Sequence, residues 1–575
     1  MTGVLIGGGG ASDPQTGDDS QGMSFEGTAR SFSQQNDLVE MAALPIDELS
    51  VHNHSYGPVV GWSQIPVGSY RLVFWQDDLA VSTTEAGRFG RYEDIARDTD
   101  DVVRTTPYTL PVWAAGNDTG DSLASFTNSA SLLTVVRNGV SQGDNYYVAF
   151  FNGDVVFHNG TRFWRLTQGS LSNSAPVFTV GAGQNPTSLA GTPAPDGGTA
   201  QQDSVPDGYP LAKNVLTVGA IDSSNIVAPF SARGPVDDGR IKPEVVAPGV
   251  DIFAPSGASD SAYASVSGTS FSAPAVSGSI NLLAEFQNQQ WGAMEPLRAS
   301  TYRALVVQTA DDLGARGPDY TYGYGLPQFD TAASLIELNS PLVGQRTFIK
   351  EIILEDGQEA DFTIRTAGVS AVKVTAAWTD PSGAPVPQTL DPSQPALVNN
   401  LDLRVLQQDT AGNTVRTFTP FYLDPNNPSA RARRGQNDVD NLEQVVTRNA
   451  GQNEIWRVTV KPKAGTSIVG DNGVVGEPQV VSLVLSGVVD RDIPFAVTDQ
   501  TFDFSGGQVT ATLTWGSHAG QFYMLESSTN LQTWTPASGV FNAREDETTA
   551  AADPFPATGS RFFRVVTVSP GFLTL

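Results

Sequence analysis

The stretch between residues 211 and 286 constrains the fold more than any other. Residues 215–220 form a short run without charge and read as a buried strand, and residues 241–248 lead into a second at 250–254. Gly268-Thr269-Ser270 then makes a tight turn into a helix that starts near Ser270 and continues through Ala275, Gly278 and Leu282. A serine in the first helical turn lies where unpaired backbone N–H groups and the positive dipole end stabilise an anion, as an acyl-transfer nucleophile and its oxyanion require. Pro274 is tolerable only within that first turn or as a kink, and Ala273, Ala275 and Gly278 permit close packing. Taken alone, such a serine is an ordinary N-cap.

Composition narrows the chemistry. The 575 residues suffice for roughly three or four domains. Asp and Glu number 61 against 33 Lys and Arg, a net charge of −28, so a phosphate backbone is repelled and nucleic acid is excluded as a partner. The absence of cysteine removes disulfides, thiol nucleophiles and thiolate zinc sites, and four histidines leave little scope for a histidine metal centre, so any metal is held by oxygen. Nowhere do eighteen apolar residues run together, so no membrane span is expected. The 57 glycines and 37 prolines predict a chain rich in strands and turns, above all after about residue 340.

Two further segments bear on a site. "PVWAAGND" reads as a buried strand over 110–115, ending in a glycine turn that exposes the Asn117 amide; by itself Asn117 is an ordinary turn residue. "SVHNHSYGP" reads as a strand whose His52 and His54, two apart, share one face. No carboxylate-histidine motif accompanies them, and they are expected to be plain strand residues rather than metal ligands or a catalytic base.

Together these segments resemble one family. "GTSFSAPAVSG" is similar to the nucleophile motif of the subtilisin-like serine peptidases, the subtilases, and "FSARGP" and "IKPEVVAPG" resemble that family's companion segments in the same order. Ser272 stands where the α/β-hydrolase elbow needs glycine, so that alternative fails. The resemblance implies Ser270 as nucleophile and Asn117 as side-chain donor to the oxyanion. It also implies Ser55, Tyr56 and Gly57, with Ala115 and Gly116, as substrate-binding positions, where an extended peptide pairs with a strand edge.

A nucleophilic serine needs a base to take its proton and an acid to orient the base. In subtilases both precede the oxyanion asparagine, and neither motif occurs before Asn117; His158 and His518 come in the wrong order. The opening "MTGVLIGGGG" fails as a signal peptide, having no basic residue before Arg30, and as a dinucleotide loop, having no preceding strand. It resembles the segment that follows the catalytic histidine: Met1-Thr2-Gly3 matches the end of that motif and the glycines match the end of its helix. "GMSFEGTARSF" resembles the family's turn into the next strand, with Ala29 and Phe32 in the matching places. The expectation is an N-terminally truncated chain, inactive as written and poorly folded.

The implied fold is an α/β subtilisin-like peptidase domain over 1–340, a parallel sheet flanked by helices and lacking its N-terminal strand, with an insertion at about 118–203 read as a surface β-excursion. "YRALVVQTADDLG" and "YGYGLPQFDTAASLIE" resemble the family's closing helices. Period-2 runs such as "NLDLRVLQQ" and "VVSLVLSG" predict an antiparallel jelly-roll or sandwich over 341–490. A small β-module follows over 491–575, with Trp515, Trp534, Phe562 and Phe563 as its core. The resemblance implies no cofactor for catalysis. Structural calcium is open, with Asp402, Asp424, Asp438 and Asp440 as candidates against the commoner reading of solvated acidic loops. A secreted bacterial endopeptidase, acting as a monomer on protein or peptide substrates, is the expected function. The alternatives are a non-catalytic scaffold of the same fold and a glycan-binding surface protein.

Overall fold

The computed structural model describes residues 1–119 apart from 14–18, 44–48 and breaks between 68 and 85; 202–339 apart from 260 and 293–295; 348–489 apart from 368–370, 410, 449 and 471; and 497–568 apart from 518–521, 543–546 and 559. Over 62–75 and 134–188 it describes strand backbones alone.

The central sheet has four parallel strands, β1 (Ser50–His54), β2 (Thr109–Ala114), β3 (Leu216–Ile221) and β4 (Val245–Pro248), adjacent in that order. Among the described residues the helices, in chain order, are α1 (Thr2–Ile6), α2 (Asp37–Ala42), α3 (Asp94–Thr105), α4 (Thr269–Trp291), α5 (Ala299–Gln308) and α6 (Phe329–Leu338). Parallel neighbours need a crossover, and α3 supplies the one from β1 to β2.

Strand β2 shows why the sheet sits in the interior. Its successive side chains enter different cores, as a two-residue period requires. Leu110, Val112 and Ala114 join Leu216, Val218 and the α4 residues Ala273, Val276 and Ile280. Trp113, with Ala115 just beyond the strand, joins Tyr92, Ala96 and Leu211 on the other face. Each such Val or Leu contributes about 1.5–3 kcal/mol by burial. The strand accordingly carries no charge, and the polar side-chain groups of "TLPVWA" are the Thr109 hydroxyl and the Trp113 indole N–H.

Helix α1 packs on α4, as the likeness of its sequence to a buried helix end implies. Met23 and Ser24 donate backbone N–H bonds to the Val4 and Leu5 carbonyls at 2.9 and 2.8 Å. A Cβ on Gly278 would lie 2.7 Å from the Met23 Cβ and 3.2 Å from the Leu5 carbonyl, so only glycine allows this approach. Two details differ from the sequence reading. The glycines do not prolong the helix: Gly7 is extended, Gly9 has φ +74°, and Gly8–Ser12 pairs antiparallel with Asp19–Gln21. Nor does a strand follow "GMSFEGTARSF": residues 27–33 are irregular, Phe32 is exposed, and the chain passes through a 3₁₀ turn into α2.

The strands anticipated in the insertion are present as Tyr147–Phe151, Asp154–His158 and Phe163–Leu166. The hairpin Trp62–Val67 and Tyr70–Trp75, which the sequence reading missed, extends the same sheet. A β-excursion is thus assembled from two segments some seventy residues apart.

The region after α6 is antiparallel. Ile349–Leu354, Gln479–Ser486, Lys373–Trp378 and Leu442–Val446 form one sheet. Leu401–Gln408, Gln452–Pro462 and Ala360–Ala367 form the centre of a second. The final strands make two further sheets around Trp515, Tyr523 and Leu525. Phe563 packs on this core, whereas Phe562, one residue earlier on the same strand, is exposed, as alternation demands. Trp534 is partly covered, and the Arg564 guanidinium lies 4.5 Å from its ring centre.

Candidate active site

Ser270 is the second residue of α4, at the tight turn expected. Gly268 precedes the helix at φ +151°, and its N–H bonds the Gly249 carbonyl at 2.8 Å. A Cβ on Gly249 would fall 2.2 Å from the Ser272 Oγ, 2.8 Å from the Ala220 Cβ and 2.9 Å from the Gly268 carbonyl. The glycine of "VAPG" is therefore what lets the end of β4 lie against the start of α4.

Pro274 lies inside α4 and has no N–H for the carbonyl four residues earlier, that of Ser270. That carbonyl accepts instead from the Ser55 Oγ at 3.0 Å, while the Ser270 Oγ donates to the Ser55 carbonyl at 3.3 Å. The proline thus opens a position in the first turn that Ser55, 215 residues away in sequence, fills.

Asn117 stands exposed beyond β2. Its Oδ1 accepts from the Thr269 backbone N–H at 2.8 Å and from the Thr269 Oγ1 at 3.0 Å. A backbone N–H can only donate, so these bonds fix the amide orientation and turn Nδ2 away from Thr269. The Thr269 hydroxyl also bridges Gly116, lying 3.2 Å from its N–H and its carbonyl. Sequence reading missed Thr269 as the residue that orients Asn117; its only signal was its place between Gly268 and Ser270.

Of the expected substrate-binding positions, Ser55 is beside Ser270, and Tyr56 and Gly57 follow it in extended chain just past the end of β1, the edge strand of the central sheet among the described residues. The Tyr56 carbonyl accepts from the Trp113 indole at 2.7 Å, and its hydroxyl donates to Asp37 at 2.8 Å. Ala115 is buried with its N–H on the Val218 carbonyl, and Gly116 is partly open next to Asn117.

His52 and His54 share one face, with ring centres 5.9 Å apart. His52 Nε2 meets the Ser50 Oγ at 3.0 Å, and His54 Nδ1 meets the Tyr56 hydroxyl at 2.8 Å while its ring stacks 3.8 Å from Trp113. Burial lowers His52 to about 4 and, with the neighbouring His52, lowers His54 to about 3, so both are neutral near pH 7. Among the described residues no histidine nitrogen and no carboxylate bonds the Ser270 Oγ. The side chain of His158, and His518 altogether, lie outside the described residues.

The four aspartates named for calcium do not bring their oxygens together. Asp402 pairs with Arg404, Asp424 lies 3.8 Å from Arg433, Asp438 pairs with Lys463, and Asp440 accepts from the Ile241 N–H and Asn437. Among the described residues, the carboxylates that converge are Asp203, Asp237 and Asp391, with oxygens within 4.8 Å of one another. Burial, with the charges of Asp203, Asp391 and Asp238, pushes Asp237 up to about 10.

A parallel sheet, a serine at the mouth of a glycine-led helix and an oriented asparagine beside it define a serine-hydrolase scaffold. The profile of the subtilase family matches residues 20–325, and the chain belongs to that family. A Dictyostelium discoideum protein named serine protease/ABC transporter B family protein tagA is 25% identical over 225 residues, 34% of this chain and 12% of that protein. The C5a peptidase of Streptococcus pyogenes is 45% identical over 67 residues, 12% of this chain and 6% of the peptidase. The chain thus spans about an eighth or less of the length of these relatives. The Clostridium perfringens CspB protease structure aligns with 43% of this chain and 65% of its own at 17% identity and a TM-score of 0.27. Serine peptidase function is supported by the family. No helix of the described residues is long and apolar enough to cross a membrane.

Proposed function

We propose that this chain carries the nucleophile half of a secreted serine endopeptidase that acts as a monomer on protein or peptide substrates. In this reading Ser270 attacks the scissile carbonyl, the Asn117 Nδ2 and the Ser270 N–H receive the developing oxyanion, and water releases the acyl group. The substrate runs in extended form along Ser55, Tyr56 and Gly57, with Ala115 and Gly116 bordering the reacting carbonyl. The observation that carries the reading is the bond from the Thr269 N–H to the Asn117 Oδ1, because it aims a donor into the space beside Ser270. A side-chain donor of this kind accounts for about 10²–10³ in turnover, a value measured on subtilisin. This acyl transfer requires no metal or organic cofactor.

The proton of Ser270 is the missing step. Its Oγ donates to a carbonyl, which cannot take the proton, and no described base replaces it. In subtilisin, removing the base alone lowers turnover about 10⁶-fold, while the oxyanion hole and binding retain about 10³–10⁴ over water. The 575 residues on their own are therefore inactive in this account. That same lack of a base favours a second reading, a non-catalytic scaffold that binds extended peptides along Ser55, Tyr56 and Gly57. Joining a segment with the family's Asp and His motifs ahead of Met1 tests the two. Casein hydrolysis that is lost on Ser270→Ala supports the peptidase, and its absence in a folded protein supports the scaffold.

A further inference from the structure

In a chain with nearly two acidic residues for each basic one, four arginines converge on one spot of the first β-domain. An open surface cavity of about 260 Å³ is lined by Arg416, Thr417, Phe418, Thr419, Arg434 and Arg448, the three arginines being exposed. Arg316 approaches from the α/β domain, where the neighbouring Gly317 packs against Phe421 and Ala432. These residues belong to separate stretches of sequence, so the fold and not a local basic run assembles them.

The guanidinium groups rest on aromatic rings. Arg416 lies 4.7 Å from the ring centre of Phe418, which is buried and stacks on Trp456 at 5.5 Å. Arg434 lies 5.1 Å from the ring centre of Phe421, its cross-strand partner. Such contacts reduce the rotamer freedom that a long basic side chain would otherwise lose on binding. None of the four arginines forms an ion pair with a carboxylate among the described residues. Burial lowers the pKa of Arg434, and the charges of Arg448, Arg316 and Arg416 lower it further, with no acidic neighbour opposing them. The preceding residue is the contrast: Arg433 has Asp424 at 3.8 Å. Like charges gathered over an apolar floor repel one another, and a bound anion removes that cost.

We propose that this cavity is a binding site for a tetrahedral oxyanion, a phosphate or sulfate group. Guanidinium forks pair with two oxygens at a time, and forks arriving from several sides suit a tetrahedral group better than a planar carboxylate. Thr417 and Thr419 also line the same cavity. The site is independent of Ser270 and of the peptidase reading.

Calorimetric titration of the full chain tests it, with inorganic phosphate, inorganic sulfate and heparin as separate ligands and sodium chloride holding ionic strength constant. Saturable one-site binding of an inorganic anion is expected, weakened about tenfold or more by Arg434→Gln and by Arg448→Gln, the loss of one charge-assisted contact. Arg433→Gln should leave affinity within about twofold. Binding of heparin alone, lost in Arg434→Gln, would identify the source as a polymer-borne sulfate. Without ligand, Arg434→Gln should melt at or above the parent temperature, because one repelling charge is gone. The proposal is overturned if no ligand saturates, if Arg433→Gln and Arg434→Gln weaken binding equally, if polyglutamate competes as well as sulfate, or if Arg434→Gln melts lower without ligand.

Discussion

Ser55 and Ser270 exchange hydrogen bonds, each hydroxyl donating to the other residue's carbonyl, at 3.0 and 3.3 Å. The exchange exists because Pro274 leaves the Ser270 carbonyl without its helical donor. Ser55→Ala should therefore cost about 1–2 kcal/mol by stranding that carbonyl. In a Pro274→Ala background, where a helical N–H is restored, the cost should shrink. Urea midpoints of the four proteins in the cycle measure the coupling. Equal costs in both backgrounds would show that the proline does not create the vacancy Ser55 fills.

Gly249→Ala should destabilise the chain by about 1–3 kcal/mol, the range for overpacking a filled core. The new methyl meets Ser272, Ala220 and the Gly268 backbone at once, so no single rotamer change relieves it. Chemical denaturation gives the value, and an unchanged midpoint would mean that β4 and α4 are not held in this contact.

His52 makes stability fall in acid. Its folded pKa of about 4 is below the ordinary 6.5, so between these values the unfolded chain binds the proton and the folded chain does not. The contribution is complete above pH 6.5 and is lost as pH falls toward 4. The stability difference between the parent and His52→Gln should therefore narrow over that window, as followed by melting temperature. A difference constant with pH would contradict burial of a neutral ring.

Asp237 acts with the opposite sign. Its folded pKa, about 10, is raised, so above pH 3.8 the unfolded chain loses a proton that the folded chain retains, and stability declines as pH rises. With chelator present, Asp237→Asn should stabilise the chain at pH 8 and change little at pH 3.5. Equal effects at both pH values would rule out the carboxyl's protonation as the cause.

Some of this was legible in the sequence and some was not. Ser270 and Asn117 stand in short motifs whose glycines and buried strands dictate local geometry, so their placement followed from a few residues. The orientation of Asn117 was not legible, because its partner Thr269 lies 152 residues away and only the folded sheet brings them together. The same reason hides the carboxylates of Asp203, Asp237 and Asp391. Asp402, Asp424, Asp438 and Asp440 were calcium candidates through the resemblance to related β-domains, yet arginine, lysine, asparagine and backbone partners engage them. The hairpin over 62–75 was missed because its strands join a sheet whose other members come after β2.

Labelling with a serine-directed fluorophosphonate followed by peptide mass mapping tests most directly the proposal that Ser270 is a nucleophile in need of a base and of the acid that orients it. The 575-residue chain should show little or no labelling, and the chain extended to supply the Asp and His motifs should be labelled at Ser270 and lose the label on Ser270→Ala. Strong labelling of the unextended chain, or labelling of the extended chain at another residue, would contradict the account.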